Sequence, residues 1–415
     1  LGDFSLDGEN TALSCEFRGK DESKHYRESD LYKNMGFLQE EKAKAFQELF
    51  KPYPREGIIT GLDKKKEVKN PPLLFNLAEL QNECAKILKI SPDDTLKLVQ
   101  ELYEKKLCTY PRTDARVLST AVSKEIEKNI RGLSTFPEYL SFTKDILERK
   151  SYHGIAKTKY CDDKKITDHY AIIPTGQGRA QYNSLGTLQK KVFDFIVRRF
   201  LSIFYPSAEY KKYNLSITVL EEEFLASEKQ LEKPGYLQLY EKSIEKEEKE
   251  GDSEKEENSV SGLSGLSGLK KGSKVYLMNT ALKEGETSPP KRYTSGTMIL
   301  AMENAGKLIE DESLREQIKG SGIGTSATRA GILTKLEKNE YIHLDKKNQQ
   351  LSPSLLGEKI VQILWNSIPP LLNPTLTASW EKGLSYVEDG KIEEKEYMEK
   401  LEDFVRKNTE KVKFA

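Results

Sequence analysis

A clearly delimited helix followed by a segment that contains proline constrains this chain more than any other feature. Ser91 can cap the helix, a proline suits its first turn, and apolar residues recur at helical spacing as far as Leu107. Pro111 fixes its own φ and favours an extended conformation at the preceding Tyr110. We therefore expect Tyr110 and Arg112 to lie on the same side of an extended segment just past the end of a helix.

The pair formed by Tyr110 and Arg112 suggests a particular chemistry. A neutral phenol is a poor nucleophile, and a nearby guanidinium would favour the phenolate and could bind a phosphate through paired donors. Tyr-x-Arg is thus a suitable arrangement for attack on a phosphodiester. The alternative is that Tyr110 is a half-buried aromatic residue and Arg112 a surface charge, and these two residues alone do not decide between the readings.

The composition limits the class of protein. The chain has 415 residues, which predicts two to four domains, and its Lys+Arg and Asp+Glu counts are both 66. Any basic surface must therefore be local. Cys15, Cys84, Cys108 and Cys161 form no C-x-x-C pattern, so we expect reduced thiols and no cysteine zinc site. No apolar run reaches membrane-spanning length, and the missing initiator Met leads us to expect an excised fragment.

Apolar periodicity predicts a chain of mixed helix and strand content. Strands are expected at Thr11–Phe17, Gly57–Leu62, Lys212–Leu220, Tyr236–Tyr240 and Lys274–Leu282. Helices are expected at Glu40–Phe50, Leu73–Leu88, Ser91–Leu107, Ser119–Ile130, 185–205, Thr294–Ala305, Ser354–Ile368, Thr375–Val387 and Lys395–Lys411. A helix opened by 321–329 and a hairpin at 341–351 form a winged-helix pattern, which is often used on nucleic acid.

Three stretches are predicted to be irregular. Lys64-Lys65-Lys66 begins an exposed loop, and Asp7-Gly8 marks a turn. The run from 241 to 258 is dense in Glu and Lys and has no apolar periodicity, which is typical of a mobile linker. A threefold Ser-Gly-Leu repeat at 261–269 is of low complexity, and its origin, natural or engineered, stays open.

Two further stretches carry residues suited to phosphate. His169 opens the run His-Tyr-Ala-Ile-Ile-Pro-Thr, and an imidazole can donate to phosphate or carry a proton near neutral pH. A hydrogen-bonded histidine without catalytic function is the alternative. Gly322-Ile-Gly-Thr-Ser326 leads into a helix N-terminus, where backbone N–H groups and Arg329 could form a phosphate cradle. A tight turn between packed helices is equally compatible with that pattern, and no Gly-Lys-Ser/Thr closes it as a nucleotide loop.

The order of these stretches resembles that of the type IA DNA topoisomerases, most closely the topoisomerase III branch. The resemblance rests on motifs that follow one another between about residues 74 and 390. They are Leu74-Phe-Asn-Leu-Ala-Glu-Leu-Gln81, Thr109-Tyr-Pro-Arg-Thr-Asp114, His169–Thr175, Pro290-Lys-Arg-Tyr-Thr294, Gly322–Arg329, Leu351-Ser-Pro-Ser-Leu-Leu-Gly357 and Leu376-Thr-Ala-Ser-Trp-Glu381. This ordered set favours the chemical readings of the tyrosine, histidine and glycine stretches over their structural alternatives.

The resemblance implies roles for individual residues. Tyr110 would be the nucleophile that takes the 5′ phosphate of a cleaved single strand, Arg112 would position the scissile phosphate, and His169 would contact phosphate beside it. Strand-binding positions are implied at Gln81, Thr109, Arg199, Gly324, Thr325, Ser326 and Arg329.

The chain also departs from the family pattern. The family's N-terminal Toprim domain binds Mg²⁺ through a Glu and an Asp-x-Asp-x-Glu motif, and that motif does not occur here. Ser295 stands where many relatives have Glu, and no cysteine-rich tail follows. We therefore expect the Mg²⁺ of the full-length enzyme to be bound by a Toprim region that this chain lacks, and we expect no metal or other cofactor in this chain.

The resemblance implies a multidomain α+β fold with the family's ring-shaped arrangement. Residues 1–70 and 181–290 would form the β-rich domain II, with a charged loop at 241–272. Residues 71–180 would form domain III with Tyr110, and residues 291–415 the helical, DNA-binding domain IV. Expected partners are single-stranded DNA, the Toprim region and a helicase, with no membrane. The expected state is a monomer in the cytoplasm, at the nucleoid.

Three functions stay open at this stage. The first is a core that cleaves and rejoins one DNA strand without ATP, for relaxation or decatenation, and that binds but does not cleave when alone. The second is a catalytically silent module that binds single-stranded DNA. The third, a tyrosine relaxase or rolling-circle nuclease, would need a histidine metal cluster, whereas His25, His153, His169 and His343 are far apart in the sequence.

Overall fold

The computed structural model describes residues 1–5, 13–20, 23–240, 270–309, 312 and 322–413. The predicted turn at Asp7-Gly8, the linker at 241–258, the repeat at 261–269 and Ser321 lie outside the described residues. The chain divides into two compact units. The first comprises Leu1–Pro71 and Tyr205–Pro289, and the second comprises Pro72–Phe204 and Pro290–Ala415.

The first unit is built on a closed antiparallel barrel with the strand order β1-β2-β5-β4-β3-β6. Its elements are β1 Gly2–Ser5, β2 Leu13–Arg18, helix α1 Glu40–Glu48, β3 Arg55–Lys69, β4 Ala208–Val219, β5 Glu222–Lys233 and β6 Lys274–Thr280. The two chain segments meet in the sheet, because β3 pairs with both β4 and β6. The barrel encloses an apolar core that includes Phe4, Ile59, Ile217 and Phe224.

Two sequence predictions for this unit are wrong. Lys64-Lys65-Lys66 is not a loop but part of β3, because β4 pairs with this stretch of strand residue by residue. Tyr236–Tyr240 is not a strand but lies in a 3-10 helix, Gly235–Tyr240, in which the Tyr236 amide donates to Pro206 O. In both cases a contact distant in sequence overrides the local pattern.

The second unit is largely helical. Its first segment contains α2 Leu77–Leu88, α3 Pro92–Glu104, α4 Thr120–Leu133, α5 Leu140–Arg149, α6 Arg179–Asn183 and α7 Thr187–Ser202. Its second segment contains α8 Ser295–Glu303, α9 Arg329–Lys338, β7 Ile342–Leu344, β8 Leu351–Pro353, α10 Leu355–Ser367, α11 Pro374–Glu388 and α12 Glu394–Lys413. The strands β7 and β8 pair antiparallel after α9, which confirms the predicted wing.

Local sequence signals account for several helix ends. The Ser91 hydroxyl accepts from the Asp94 amide at 3.1 Å, which confirms the predicted cap of α3. Helix α2 begins at Leu77, later than predicted, because the Asn76 side chain caps it and the Phe75 backbone bridges to Ile172. Residues 181–204 belong to the second unit, since α7 packs against α2 and α3, whereas the predicted boundary lay at residue 181. The finer division into domains II, III and IV stays a prediction.

Candidate active site and nucleic-acid interface

The segment that carries Tyr110 leaves α3 abruptly. Lys106 adopts a left-handed φ of 60°, and the Leu107 amide closes the helix by donating to Leu102 O at 2.9 Å. Beyond this point the chain is extended, as the proline predicts. Burial raises the pKa of the neighbouring Cys108 thiol, so this group stays neutral and serves as packing.

Threonines on either side of Tyr110 tie its segment to the stretch 169–173. The Thr109 hydroxyl donates to Ala171 O at 3.1 Å and accepts from the Ile173 amide at 2.9 Å. The Thr113 hydroxyl donates to His169 O at 2.7 Å. Each threonine therefore fixes the backbone of the histidine stretch relative to the tyrosine. Thr109 was predicted to bind the strand directly, and its hydroxyl is instead engaged within the protein.

The side chains of Tyr110 and His169 come together at the surface. Their ring centroids are 4.5 Å apart, and Tyr103 of α3 packs edge-on to the Tyr110 ring at 5.5 Å. Tyr110 is half-buried, and its hydroxyl forms no hydrogen bond with any described residue. His169 and Arg112 are exposed, and Arg112 has no ion pair within the described part of the chain. The phenol of Tyr110, the imidazole of His169 and the guanidinium of Arg112 are thus available to a ligand. They lie on two segments that are hydrogen-bonded to each other.

A glycine turn shapes the second predicted stretch. Gly322 has a φ of 63°, and a Cβ there would lie 2.4 Å from Met302 O, so only glycine fits. Gly324 is also left-handed, with a φ of 68°. Thr325 is exposed and Ser326 half-buried, and the amides of Ser326 and Ala327 donate to no described residue. Two free N–H groups at the start of α9 remain available to a phosphate oxygen.

Arg329 occupies a different position from the one predicted. It is 1% exposed, and its guanidinium donates to Ile323 O, to Gly324 O and to Asp114 Oδ1 at 3.3, 3.1 and 3.0 Å. These contacts of the guanidinium are all within the protein, and strand binding by Arg329 stays a prediction that they do not favour. Arg329 joins the glycine turn to the tyrosine segment, because Asp114 lies four residues after Tyr110.

Gln81 is also internal. Its side chain is 1% exposed and donates to Pro92 O at 2.9 Å, which links α2 to the start of α3. Arg199 is half-buried, stacks over Phe75 with its guanidinium carbon 4.0 Å from the ring centroid, and donates to Leu73 O. Both side chains are thus engaged within the protein, and their strand-binding roles stay predictions.

The sequence did not single out a buried polar cluster under the tyrosine segment. Asn76 donates to Asp114 O at 3.1 Å and to Glu303 Oε1 at 2.6 Å. Burial raises the pKa of Glu303, Asp114 raises it further, and Arg329 opposes both effects. Arg116 forms an ion pair with Glu79 beside them. Asp114 was the one member of this cluster that the sequence could have indicated, since it closes the motif that contains Tyr110.

No three His, Cys, Asp or Glu side chains of the described residues are grouped so that they could hold a metal ion. None of the described helices combines the length and the apolar character that a membrane crossing requires.

Comparisons with known proteins agree with the motifs. The sequence model of the family described as DNA topoisomerase matches residues 12–399. DNA topoisomerase 3 of Bacillus subtilis (strain 168) is 30% identical over 365 residues, which are 86% of this chain and 47% of that protein. The chain is 28% identical to DNA topoisomerase 3 of Bacillus thuringiensis (strain Al Hakam) over 372 residues, 86% of this chain and 49% of the relative.

A solved structure shares the fold. Full-length topoisomerase I from Thermotoga maritima superposes with a TM-score of 0.63 at 21% identity, covering 98% of this chain and 57% of that one. The present chain spans about half the length of the curated relatives that it matches. The family match covers most of the sequence, and the chain therefore belongs to the type IA DNA topoisomerases and is similar to their topoisomerase III members.

Proposed function

We propose that this chain is the strand-cleaving core of a DNA topoisomerase and that Tyr110 is its nucleophile. The phenolic oxygen forms a bond to phosphorus, the bond from phosphorus to the 3′ oxygen breaks, and that oxygen takes up a proton. Tyr110 then carries the 5′ phosphate of a single strand. Attack by the 3′ hydroxyl reverses the step, and no nucleoside triphosphate is needed because one phosphate ester replaces another.

The observation that carries this proposal is the free Tyr110 hydroxyl, on a ring that packs against His169 and in a segment that presents the exposed Arg112 two residues further on. A fixed nucleophile next to a positive charge favours attack on phosphate, because the guanidinium can stabilise charge that develops on the oxygens. His169 is placed to donate to phosphate or to move a proton. Thr109 and Thr113 hold the two segments in register, and the free amides of Ser326 and Ala327 can bind phosphate along the strand.

Magnesium belongs to the proposal only through the family resemblance. The described residues offer no suitable cluster, since Asp114 and Glu303 are committed to Arg329 and Asn76. We therefore assign the ion to the Toprim region with its acidic motif and derive no step from it. Because cleavage would need that region, the chain by itself should bind single strands and cleave them poorly.

The wider biological role is also inferred from the resemblance. Strand passage through a transiently opened strand would relax or decatenate DNA, within the ring-shaped arrangement of the family. Such a protein would work as a monomer at the nucleoid in the cytoplasm, with a helicase as a partner that supplies single-stranded regions.

A capture experiment tests the proposal. A single-stranded oligonucleotide labelled at its 3′ end is incubated with magnesium and then denatured in detergent, so that any covalent adduct carries the label. The chain is tested alone, with the Toprim region supplied, and as Tyr110→Phe. An adduct that requires both the Toprim region and Tyr110 supports the proposal. Retained binding without any adduct would instead indicate a silent DNA-binding module, and efficient cleavage by the chain alone would contradict the division of the site.

A further inference from the structure

Three lysines face one another across three strands of the barrel in the first unit. Lys65 of β3 pairs directly with Lys212 of β4, and Lys212 pairs directly with Lys229 of β5. Directly paired residues project from the same face with Cβ atoms about 5 Å apart, and like charges in such pairs are destabilising. The direct pairing of these lysines is therefore unfavourable unless neighbouring groups offset their charges.

The acidic groups on this face neutralise it only in part. The ammonium of Lys65 lies 3.6 Å from the Asp63 carboxylate, and that of Lys229 lies 2.5 Å from Glu67. Lys212, in the middle of the row, has no ion pair with any described residue, and the same holds for Lys69 further along β3. We call Lys65, Lys69, Lys212 and Lys229 the lysine face. Its four positive charges outnumber the two negative charges of Asp63 and Glu67.

The lysine face belongs to the outside of the barrel. On β4 the core residues Leu215 and Ile217 alternate with Asn214 and Ser216, which share the outward face with Lys212. Small polar side chains thus lie next to the lysines on the outward face. Thr60 of β3 and Thr218 of β4 extend this polar row, and their hydroxyls are 3.1 Å apart. Hydroxyl and amide groups of this kind commonly contact the phosphates and sugars of DNA.

The types of side chain on the lysine face indicate whether single-stranded or duplex DNA suits it better. Single strands are usually bound by stacking bases on free aromatic rings. The outward faces of β3, β4 and β5, which are described throughout, carry one aromatic residue, Tyr210, and the Lys229 ammonium covers its ring at 4.5 Å from the centroid. Lysine ammonium groups instead act as point charges for phosphate.

We propose that the lysine face binds the phosphate backbone of duplex DNA, as a second DNA site in the unit that does not contain Tyr110. This proposal rests on DNA being the substrate in the proposed function, and it is independent of the chemistry at Tyr110. Because the contacts are to phosphate, binding has little sequence preference and weakens steeply with salt.

The opposite face of the same strands supplies a matched control. Lys66 lies 2.9 Å from Glu209, Lys211 lies 3.2 Å from Glu232, and Lys64 lies over the Tyr213 ring. A triple variant Lys65→Gln, Lys212→Gln, Lys229→Gln is compared with Lys64→Gln, Lys66→Gln, Lys211→Gln, which loses the same formal charge. Fluorescence anisotropy of a labelled blunt duplex measures affinity over a range of salt concentrations.

The two triple variants should behave differently. Loss of three phosphate contacts should reduce the slope of log affinity against log salt by about 2 to 3, and should weaken binding at low salt about tenfold. The control variant should bind within about twofold of the parent chain. An equal loss in both variants would mean that only total charge matters, and no loss in the first would mean that the face is unused. Either result overturns the proposal.

A second variant is expected to raise duplex affinity, which misfolding could not do. Asp63→Asn with Glu67→Gln removes the two carboxylates that neutralise the face, so duplex affinity should rise about threefold at low salt. Unchanged or weaker binding would contradict the proposal. If the lysine variant loses single-strand affinity as much as duplex affinity, a strand and not a duplex is the partner. Adduct formation at Tyr110 on a single-stranded oligonucleotide should be unaffected, so failure of the proposed function would be seen separately.

Discussion

Replacing Arg329 by methionine tests whether this arginine is a structural link or a strand-binding residue. The substitution keeps most of the length of the side chain and removes its guanidinium, which leaves Ile323 O and Gly324 O without their donor and Asp114 without its ion pair. Breaking a buried ion pair from one side costs about 3 to 5 kcal/mol. Asp114 is partly solvated, with 37% of its side chain exposed, so we expect the lower end, about 3 kcal/mol.

This loss should appear as local opening of the glycine turn, and hydrogen exchange of individual amides measures it. The Ile323 amide donates to Met302 O at 2.8 Å, and the Arg329 amide donates to Thr325 O at 3.1 Å. A local destabilisation of about 3 kcal/mol corresponds to exchange roughly 100-fold faster at these amides. Lys335→Met, on the exposed side of the same helix, should leave both amides unchanged.

The refuting result is specific. If Arg329→Met weakens the binding of a single-stranded oligonucleotide and leaves both amides protected, the guanidinium contacts DNA and the structural interpretation is wrong. A double-mutant cycle with Asp114→Asn adds a second test, because side chains in direct contact should couple by about 1 to 3 kcal/mol. Additive effects would show that the ion pair does not join the two segments.

Three further predictions concern neighbouring residues. The pKa of Glu303 is raised in the folded protein, so the ionised carboxylate at about pH 7 lowers the free energy of unfolding, whereas the protonated group at about pH 4 does not. Glu303→Gln should therefore stabilise the protein at about pH 7 and have little effect at about pH 4. Thermal unfolding at both pH values measures this, and equal effects would contradict it. Gly322→Ala should cost about 2 kcal/mol in thermal or denaturant unfolding, whereas Gly331→Ala, with open space at its Cβ, should be neutral or stabilising by up to about 1 kcal/mol. Thr113→Val removes the hydroxyl that donates to His169 O, so covalent adducts should form about tenfold more slowly with unchanged strand affinity; an unchanged rate would show that this contact does not position the site.

Local signals in the sequence correctly predict the secondary structure around the site. The cap at Ser91, the proline after Tyr110 and the wing after α9 depend on residues close to one another in the chain, and the structure has all three features. The charged stretch Lys64-Lys65-Lys66 shows the opposite case, since only pairing with β4, far along the chain, makes it a strand.

The internal support of the site was harder to predict. Arg329 is buried because Asp114, 215 residues earlier, reaches its guanidinium, and Gln81 is buried because the start of α3 returns to it. A motif shows that a residue is important to a family without showing whether it contacts the substrate or the protein. The packing of Tyr103 against Tyr110 was not predicted, because Tyr110 lies beyond the end of α3, where helical spacing no longer indicates which side chains are neighbours.

Identification of the residue that becomes joined to DNA tests the central claim most directly. The covalent adduct, formed with the Toprim region supplied, is digested with nuclease and trypsin and examined by mass spectrometry. Tryptic cleavage after Lys106 and Arg112 releases Tyr110 in a peptide that does not contain Tyr103. We predict a 5′-linked nucleotide on the peptide with Tyr110. A nucleotide on the peptide with Tyr103, or on any other residue, would contradict the assignment of the nucleophile.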